Sequence, residues 1–274
     1  MVDDVRIPLT LPSTGERMVP QGVGSETLWE HLYRYRFAAQ FVKGKDVLDV
    51  ASGEGYGLAA LGQAGAKSAI GVDISPEACR HANRKYGVDA RQGDATKLPL
   101  SNDSIDLLVS FETIEHIQDP ALFLDECARV MRPRGRIIVS TPNIETYNPD
   151  RSDSHNPFHC SEMSAAEFYS IIKERFTNLN YYCQRPTRAS RWSFRSLTLI
   201  PSPWLKVRGY TRLSRYCQIN YLDSELLARQ DPVNAILKPE GWVSRYLNPY
   251  LVRKRNTTHS ESPLYLLCTA ELRK

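Results

Sequence analysis

A glycine-rich run and a later acid are the first residues whose types and spacing could bind a ligand. Gly53, Gly55 and Gly57 come directly after the apolar stretch 47–50. Glycine lets a ligand approach the backbone closely, and the N-terminus of a following helix attracts polar or anionic groups. Asp73 ends the next apolar stretch, about 20 residues after Gly53. At this spacing a carboxylate can accept hydrogen bonds from ribose hydroxyls. Together these features predict a site for a nucleoside-containing cofactor.

The glycine run departs from the usual dinucleotide-binding pattern, G-x-G-x-x-G. Leu58 occupies the position of the third glycine of that pattern. This departure argues against a pyrophosphate-binding turn. It thereby weakens the alternative of a nicotinamide-dependent oxidoreductase, and a non-catalytic binding module is the other alternative from outside the expected class.

The elements that would position these residues follow from the hydrophobic pattern between residues 46 and 140. Short apolar runs alternate there with helical patterns, which is typical of βαβ units and a parallel sheet. Pro76 and Pro120 each stand where a helix would begin, and residues 133–135 form an expected turn before the fifth strand. The pattern predicts strands at 46–50, 68–72, 89–92, 105–110 and 136–140.

One more helix and two more strands are predicted towards the C-terminus. Ser164 is the expected N-cap of a helix over 164–175, with Glu167 as its capping-box partner. Strands are expected at 178–184 and 264–271. The predicted fold class is α/β, with a doubly wound, mostly parallel seven-stranded sheet, an N-terminal lid helix and an insert between the last two strands. The chain accordingly divides into a lid segment at 1–45, a core at 46–184 and 263–274, and an insert at 185–262.

The insert differs sharply in composition from the rest of the chain. Between Arg185 and Arg255 there are 14 Lys or Arg and 4 Asp or Glu, a net charge of +10, so the remaining residues carry −6 of the total of +4. Nine aromatic side chains lie in the same segment. Arginine and aromatic side chains together suit a phosphate, a nucleotide or a sugar ring. We therefore expect the insert to recognise an anionic small-molecule or glycan acceptor.

Cysteine usage and the N-terminus bear on location. The six cysteines are scattered without a C-x-x-C pair, so neither a zinc site nor a disulfide framework is indicated. The first residues include Asp3 and Asp4 without an apolar stretch, and no run of about 18 apolar residues occurs. We expect a soluble cytoplasmic protein with no transmembrane segment, and peripheral contact with an anionic membrane is left open.

The ordered set of motifs resembles the class I S-adenosylmethionine-dependent methyltransferases, whose first motif reads roughly [VL]-L-D-x-G-x-G-x-G. The match runs over 47–55, with Ala51 where the family usually has its first glycine. Gly93-Asp94-Ala95 stands where the family places an acid on the adenine amino group, and residues 106–112 resemble its fourth strand. The resemblance implies S-adenosyl-L-methionine as cofactor, bound through Asp49, Ala51, Gly53, Gly55, Asp73, Ile74, Asp94, Ala95 and Phe111.

The N-terminal segment resembles a bacterial subgroup associated with glycan biosynthesis. Residues 14–20 and 30–38 carry this likeness, which implies a leading segment that covers the cofactor. On a helix His31, Arg34 and Tyr35 would share a face, so Arg34 is expected to meet the methionine carboxylate while Tyr35 packs over it. An ordinary amphipathic lid helix that buries Leu28, Leu32 and Tyr35 is the alternative.

The reacting centre is expected just after the fourth strand, because ligands of open α/β sheets bind outside the carboxyl ends of the strands. Methyl transfer to oxygen requires a base for the acceptor hydroxyl, and histidine suits that role near neutral pH. His116 is the expected base, with Glu115 beside it as a second catalytic candidate. A purely positional role for the pair is the alternative.

A metal-assisted variant is implied by a further likeness. Glu112, Glu115 and His116 match the E-x-x-E-H cluster that binds magnesium in ubiquinone-pathway and small-RNA 2′-O-methyltransferases. His155 or His159 could complete such a site. Bound Mg²⁺ would lower the pKa of a coordinated hydroxyl and fix its orientation.

The resemblance and the insert together favour O-methylation of a sugar hydroxyl on a nucleotide-linked, phosphorylated or lipid-linked glycan. RNA 2′-O-ribose is an alternative acceptor, although the insert contains no recognisable RNA-binding module. A natural-product or quinone-like acceptor is the other alternative.

Overall fold

Eight strands form one mixed sheet in the computed structural model, which describes residues 11, 17–22, 25–147, 156–184, 231–237, 253–254 and 265–273. The strand order is β3-β2-β1-β4-β5-β8-β6-β7. The strands are β1 Asp46–Val50, β2 Ser68–Asp73, β3 Asp89–Gln92, β4 Ile105–Phe111, β5 Met131–Pro142, β6 Phe176–Gln184, β7 Arg253–Lys254 and β8 Tyr265–Leu272. The first five pair in parallel, whereas β8 runs antiparallel to both β5 and β6. The expected doubly wound, mostly parallel seven-stranded sheet is confirmed, and the two-residue β7 extends its edge.

Helices cover both faces of this sheet. The described helices are α1 Ser25–Ala39, α2 Tyr56–Gln63, α3 Pro76–Tyr86, α4 Pro120–Val130, α5 Ile144–Tyr147, α6 Ala165–Lys173 and α7 Pro232–Leu237, with a short 3₁₀ turn at Ile114–His116. Neighbouring residues of β1 point to opposite faces, as the period of two in a strand requires. Val47 belongs to the core cluster that includes residues of α1, α2 and α7, whereas Leu48 belongs to the cluster that includes residues of α4 and α6. The central strands are therefore buried on both sides.

The fifth strand is longer than its pattern predicted. The strand 136–140 and the turn before it were expected, but the pairing with β4 already begins at Met131 and resumes with a shifted register at Arg136. Arg134 has a left-handed backbone with φ of 64°. A Cβ on Gly135 would lie 2.8 Å from the Arg132 carbonyl oxygen. The expected turn is thus an irregularity inside a strand.

The predicted lid helix is present, and part of the insert packs against it. Helix α1 buries Leu28, Leu32 and Tyr35 as its amphipathic pattern indicates. Helix α7, which lies within 185–262, places Val233 and Ile236 in the same core cluster. The rest of the insert, apart from 231, 253 and 254, lies outside the described residues. No helix in the described ranges is long and apolar enough to cross a membrane.

Candidate active site

A cavity of 630 Å³ opens at the carboxyl ends of β1, β2 and β4, where a parallel sheet of this kind holds its ligands. Its size is within the usual range for small-molecule and cofactor sites. The loops after β1, β2, β3 and β4 form its floor and sides, and α1, the segment 156–159 and the start of β8 complete it. The lining residues from these loops include Ala51, Gly53, Asp73, Ile74, Asp94, Ala95, Phe111, Glu112, Glu115 and His116.

The loop after β1 has an unusual backbone that is fixed from β2. Ala51, Gly53 and Gly55 all have positive φ, of 59°, 55° and 93°, which glycine adopts freely and alanine only at a cost of about 1–2 kcal/mol. The Gly53 amide donates to Asp73 Oδ2 over 2.8 Å, and the Ser75 amide donates to Asp73 Oδ1 over 2.9 Å. Each carboxylate oxygen has two lone pairs, so Asp73 can still accept further hydrogen bonds.

A second anchor connects this loop to α3. The Glu54 carboxylate is buried and contacts His81 at 3.2 Å, the Tyr86 hydroxyl at 3.1 Å and the Lys85 ammonium. Gly55 packs directly on Ala82, so that a Cβ at this position would overlap with the alanine side chain. The glycine loop is therefore held by both β2 and α3. Sequence reasoning missed the Glu54 network because its partners lie on another element.

Helix α1 contributes a stripe of side chains to the cavity. Thr27, His31 and Tyr35, spaced four residues apart, line it, as neighbours at this spacing share a helix face. Burial and the nearby Arg34 lower the pKa of His31 well below its usual value. His31 is therefore neutral near pH 7.

Arg34 lies behind this wall, outside the set of described residues that line the cavity. Its guanidinium is fully buried, donates to Gln184 Oε1 over 3.0 Å, lies 3.6 Å from Glu112 Oε1 and packs over the Tyr265 ring. The contact of Arg34 with a methionine carboxylate stays a prediction.

Asp49 also lies beneath the cavity surface. Its carboxyl group is completely buried, and the Tyr35 hydroxyl donates to its two oxygens over 3.1 and 3.3 Å. Burial raises the pKa of Asp49 to about 8. Tyr35 therefore separates this acid from the cavity.

The loops after β2 and β3 carry the expected adenine-side residues. Ile74 is 73% exposed, which is unusual for so large an apolar side chain. Hydrogen bonds from the amide and hydroxyl of Thr96, both over 2.8 Å, lower the pKa of Asp94. Asp94 is therefore ionised and can accept from an amino group. Phe111 closes the end of β4 and packs edge-on against Tyr35.

Two acids follow β4. Glu112 has a left-handed backbone with φ of 52°, and its carboxylate accepts from the Ser140 hydroxyl over 2.6 Å. Glu115 is buried, and one of its oxygens accepts from Thr141 over 3.1 Å, while Oε1 has no hydrogen-bond partner among the described residues. Burial, and then the neighbouring Glu112, raise the pKa of Glu115 well above its usual value. The surroundings of Glu115 therefore favour its protonated form.

Two histidines meet where the turn after β4 faces the segment 156–159. His116 Nδ1 lies 3.1 Å from the Phe158 carbonyl oxygen. A carbonyl can only accept, so Nδ1 carries a proton and a neutral ring has its lone pair on Nε2. The His159 ring packs edge-on against His116 at 4.9 Å, and its Nδ1 lies 2.9 Å from Glu162 Oε1.

The metal candidates predicted from the sequence are only partly brought together. Ligand atoms of Glu115, His116 and His159 lie within 4.8 Å of one another. Glu112 is not in this group, and His155 lies outside the described residues. Glu162 was not singled out from the sequence, because residues 159–162 form no helix on which an i, i+3 spacing would indicate a contact.

Known proteins that resemble this chain include methyltransferases. The methyltransferase-domain family matches residues 48–139. A protein of Mycolicibacterium smegmatis named "probable S-adenosylmethionine-dependent methyltransferase" is 40% identical over 173 residues, which cover 62% of this chain and 66% of that protein. A ubiquinone biosynthesis O-methyltransferase of Azorhizobium caulinodans is 36% identical over 107 residues, covering 37% of this chain and 42% of that enzyme. A crystal structure of a SAM-dependent methyltransferase from Thermotoga maritima has a TM-score of 0.57 at 16% identity and covers 90% of this chain and 92% of that one.

The chain thus carries a class I S-adenosylmethionine-dependent methyltransferase domain. The class expected from the sequence is confirmed for this domain, and the T. maritima structure supports the same fold over most of the chain. The aligned part of this chain spans 66% of its M. smegmatis relative. The glycan-biosynthesis subgroup stays a prediction.

Proposed function

We propose that this chain transfers a methyl group from S-adenosylmethionine to a hydroxyl oxygen of a sugar on a nucleotide-linked, phosphorylated or lipid-linked glycan. The observation that carries the proposal is one cavity lined both by a nucleoside-type site and by two histidines. Asp73 and the glycine loop form the first part, and His116 and His159 the second.

The residues around the cavity suit this cofactor. Ionised Asp94 can accept a hydrogen bond from an amino group, and the Asp73 carboxylate has lone pairs for hydroxyls. Ile74 offers an exposed apolar surface on which a nucleobase can pack. When bound, the cofactor supplies an electrophilic methyl on a sulfonium ion. Phe111, Tyr35 and Tyr56 provide aromatic surface near which a cation is stabilised.

Within the proposed reaction His116 receives the proton of the acceptor hydroxyl. The Phe158 carbonyl oxygen fixes the proton on Nδ1, which leaves Nε2 as the basic atom. Glu162 can fix His159 in the same way. Buried Glu115 supports the turn that carries His116, since its backbone oxygen accepts from the amides of Cys160 and Ser161 over 2.8 and 2.9 Å.

The first experiment tests the cofactor. Calorimetric titration of the purified protein with S-adenosylhomocysteine is expected to show binding, and titration with NAD none. Asp73→Ala should weaken the binding of S-adenosylhomocysteine by about ten-fold or more, because each charge-assisted hydrogen bond contributes about 1.5–3 kcal/mol. Asp89→Ala, which removes an exposed acid of β3, is the matched control. Binding of NAD in preference to the sulfur nucleoside would refute the proposal.

A second candidate, cation-assisted transfer, is favoured by the cluster of Glu115, His116 and His159. Two imidazoles and one carboxyl group suit Mn²⁺, Fe²⁺ or Zn²⁺ better than Mg²⁺, which prefers oxygen ligands. The donor set therefore does not fit the magnesium expected from the E-x-x-E-H likeness. A bound cation would lower the pKa of a coordinated hydroxyl.

The acceptor is tested with radiolabelled S-adenosylmethionine and three probes. These are a nucleoside-diphosphate sugar, a catechol as quinone precursor and a short single-stranded RNA. Incorporation into the sugar alone supports the glycan proposal. Incorporation into the catechol would replace it with the quinone-like alternative, which the ubiquinone O-methyltransferase relative supports, and incorporation into RNA would favour 2′-O-methylation.

A further inference from the structure

The third glycine of the run, Gly57, is not explained by its own backbone. Gly53 and Gly55 have positive φ, whereas Gly57 lies in the first turn of α2 without one. It is also absent from the described residues that line the cavity. Glycine inside a helix costs about 1 kcal/mol relative to alanine. Some other contact must therefore require its missing side chain.

That contact is with Tyr35 of α1. A Cβ on Gly57 would overlap with three carbon atoms of the Tyr35 ring, Cζ, Cε1 and Cε2. The overlap involves a rigid ring rather than the end of a flexible chain. Tyr35 is only 6% exposed, so the residues around its ring leave it little room to move aside. Gly57 is thus a socket that admits the ring.

Tyr35 connects three elements that carry the cavity. Its ring packs edge-on against Tyr56 of α2 at 5.6 Å and against Phe111 of β4 at 5.1 Å. Its hydroxyl donates to Asp49 of β1. Thr27 and His31 stand on the same stripe of α1 and line the cavity. The position of the Tyr35 ring therefore determines where α1 lies relative to the glycine loop.

We infer that Tyr35 in the Gly57 socket is a positioning contact that holds α1 as one wall of the cofactor cavity. Residue 57 then affects cofactor affinity through Tyr35 and not through contact with the cofactor. The inference rests on the proposed function only for the identity of the ligand, S-adenosylmethionine. It also gives the third glycine a role that the glycine pattern alone does not predict.

The test is a double-mutant cycle with S-adenosylhomocysteine as the probe. Gly57→Ala should weaken binding by about ten-fold or more, because the new methyl group displaces the ring. Tyr35→Ala should also weaken binding, because α1 loses the ring that packs on Gly57, Tyr56 and Phe111. The double variant should bind as Tyr35→Ala alone does, because the methyl group then enters space that the ring has left.

Gly62→Ala is the matched control in the same helix. A Cβ there comes no closer than 3.8 Å to the Ala69 side chain, so the wild-type affinity should be retained. Multiplicative effects in the double variant, or wild-type affinity in Gly57→Ala, would overturn the inference. If Gly57→Ala does not fold, a folded double variant supports the inference and an unfolded one overturns it. Failure of the wild type to bind the probe would instead count against the proposed function.

Discussion

At the scale of single residues, Asp49 is a carboxyl group whose charge depends on its surroundings. It is fully buried under Tyr35, and burial raises its pKa from 3.8 to about 8. The folded protein therefore binds a proton at this site that the unfolded chain has released between about pH 4 and pH 8. By linkage, its contribution to stability is complete below pH 4 and is lost as the pH rises through 8.

This linkage predicts how stability changes with pH. The free energy of unfolding of the wild type should fall between pH 6 and pH 8, with Asp49 contributing up to about 1.4 kcal/mol per pH unit. Asp49→Asn keeps an acceptor for the Tyr35 hydroxyl but cannot ionise, so it should show a shallower fall. Urea unfolding of both proteins across this range measures the difference. Identical slopes would show that Asp49 is already ionised in the folded protein.

The residues at the acceptor end give a prediction that separates the two chemical candidates. If His116 acts as a base without a metal, His116→Ala should lower the rate by about 10² or more, and EDTA should have no effect. If a cation assists, Glu115→Gln and His159→Ala should also inactivate, and EDTA should abolish a rate that Mn²⁺ restores better than Mg²⁺. The assay is methyl transfer to whichever probe is accepted. Full activity of His116→Ala would rule out both candidates.

At the scale of elements, the glycine loop depends on its attachment to α3. Glu54 is buried against His81, Lys85 and Tyr86. A buried carboxylate with several charge-assisted partners is stabilising only while all of them are present. The glycine loop is therefore held in place by α3 on one side and by Asp73 of β2 on the other.

We predict that Glu54→Gln lowers both stability and cofactor affinity. Loss of the charge leaves Lys85 and His81 poorly paired and should cost roughly 2–4 kcal/mol in the free energy of unfolding. The loosened loop should also bind S-adenosylhomocysteine more weakly. Asp89→Asn removes one acid of an exposed pair with Arg91 and should cost less than about 1 kcal/mol. Thermal melts and calorimetry measure both effects, and equal behaviour of the two variants would contradict the prediction.

At the scale of the whole molecule, positive charge is concentrated between Arg185 and Arg255. The net +10 there contrasts with −6 in the remaining residues. The proposed anionic acceptor would account for this separation of charge, because a positively charged segment attracts an anion. Salt screens this attraction and shortens its range.

The charge separation predicts a salt-dependent acceptor KM. Replacing Arg188 and Arg191 together by alanine should raise the acceptor KM while the affinity for S-adenosylhomocysteine stays unchanged. The wild-type KM should rise between about 50 and about 300 mM salt. Arg91→Ala, an exposed arginine of β3, is the control. If KM responds to neither salt nor the double replacement, the charge serves another anionic surface, such as a membrane.

Much of the core could be predicted because its signals are local. The bounds of β1 and β3 match the prediction, since each strand is a short run between turn residues. The Ser164 capping box is also present. The bounds of β5 could not be predicted, because Met131 pairs with β4 ahead of a turn that the sequence marks as a strand boundary. Pairing across strands depends on the neighbour and not on the run itself.

The residue pattern alone predicts the succession of strands along the chain, the glycine loop and the acid Asp73, because each of these is a short run of residues with its own local signal. The packing of the folded chain places Arg34 behind the cavity wall, brings Glu162 against His159 and fills the space above Gly57 with the Tyr35 ring. The Arg34 and Tyr35 contacts join residues far apart in the chain, and the meeting of His116 with His159 does so too. They depend on how helices pack on the sheet, which no local pattern of residues encodes.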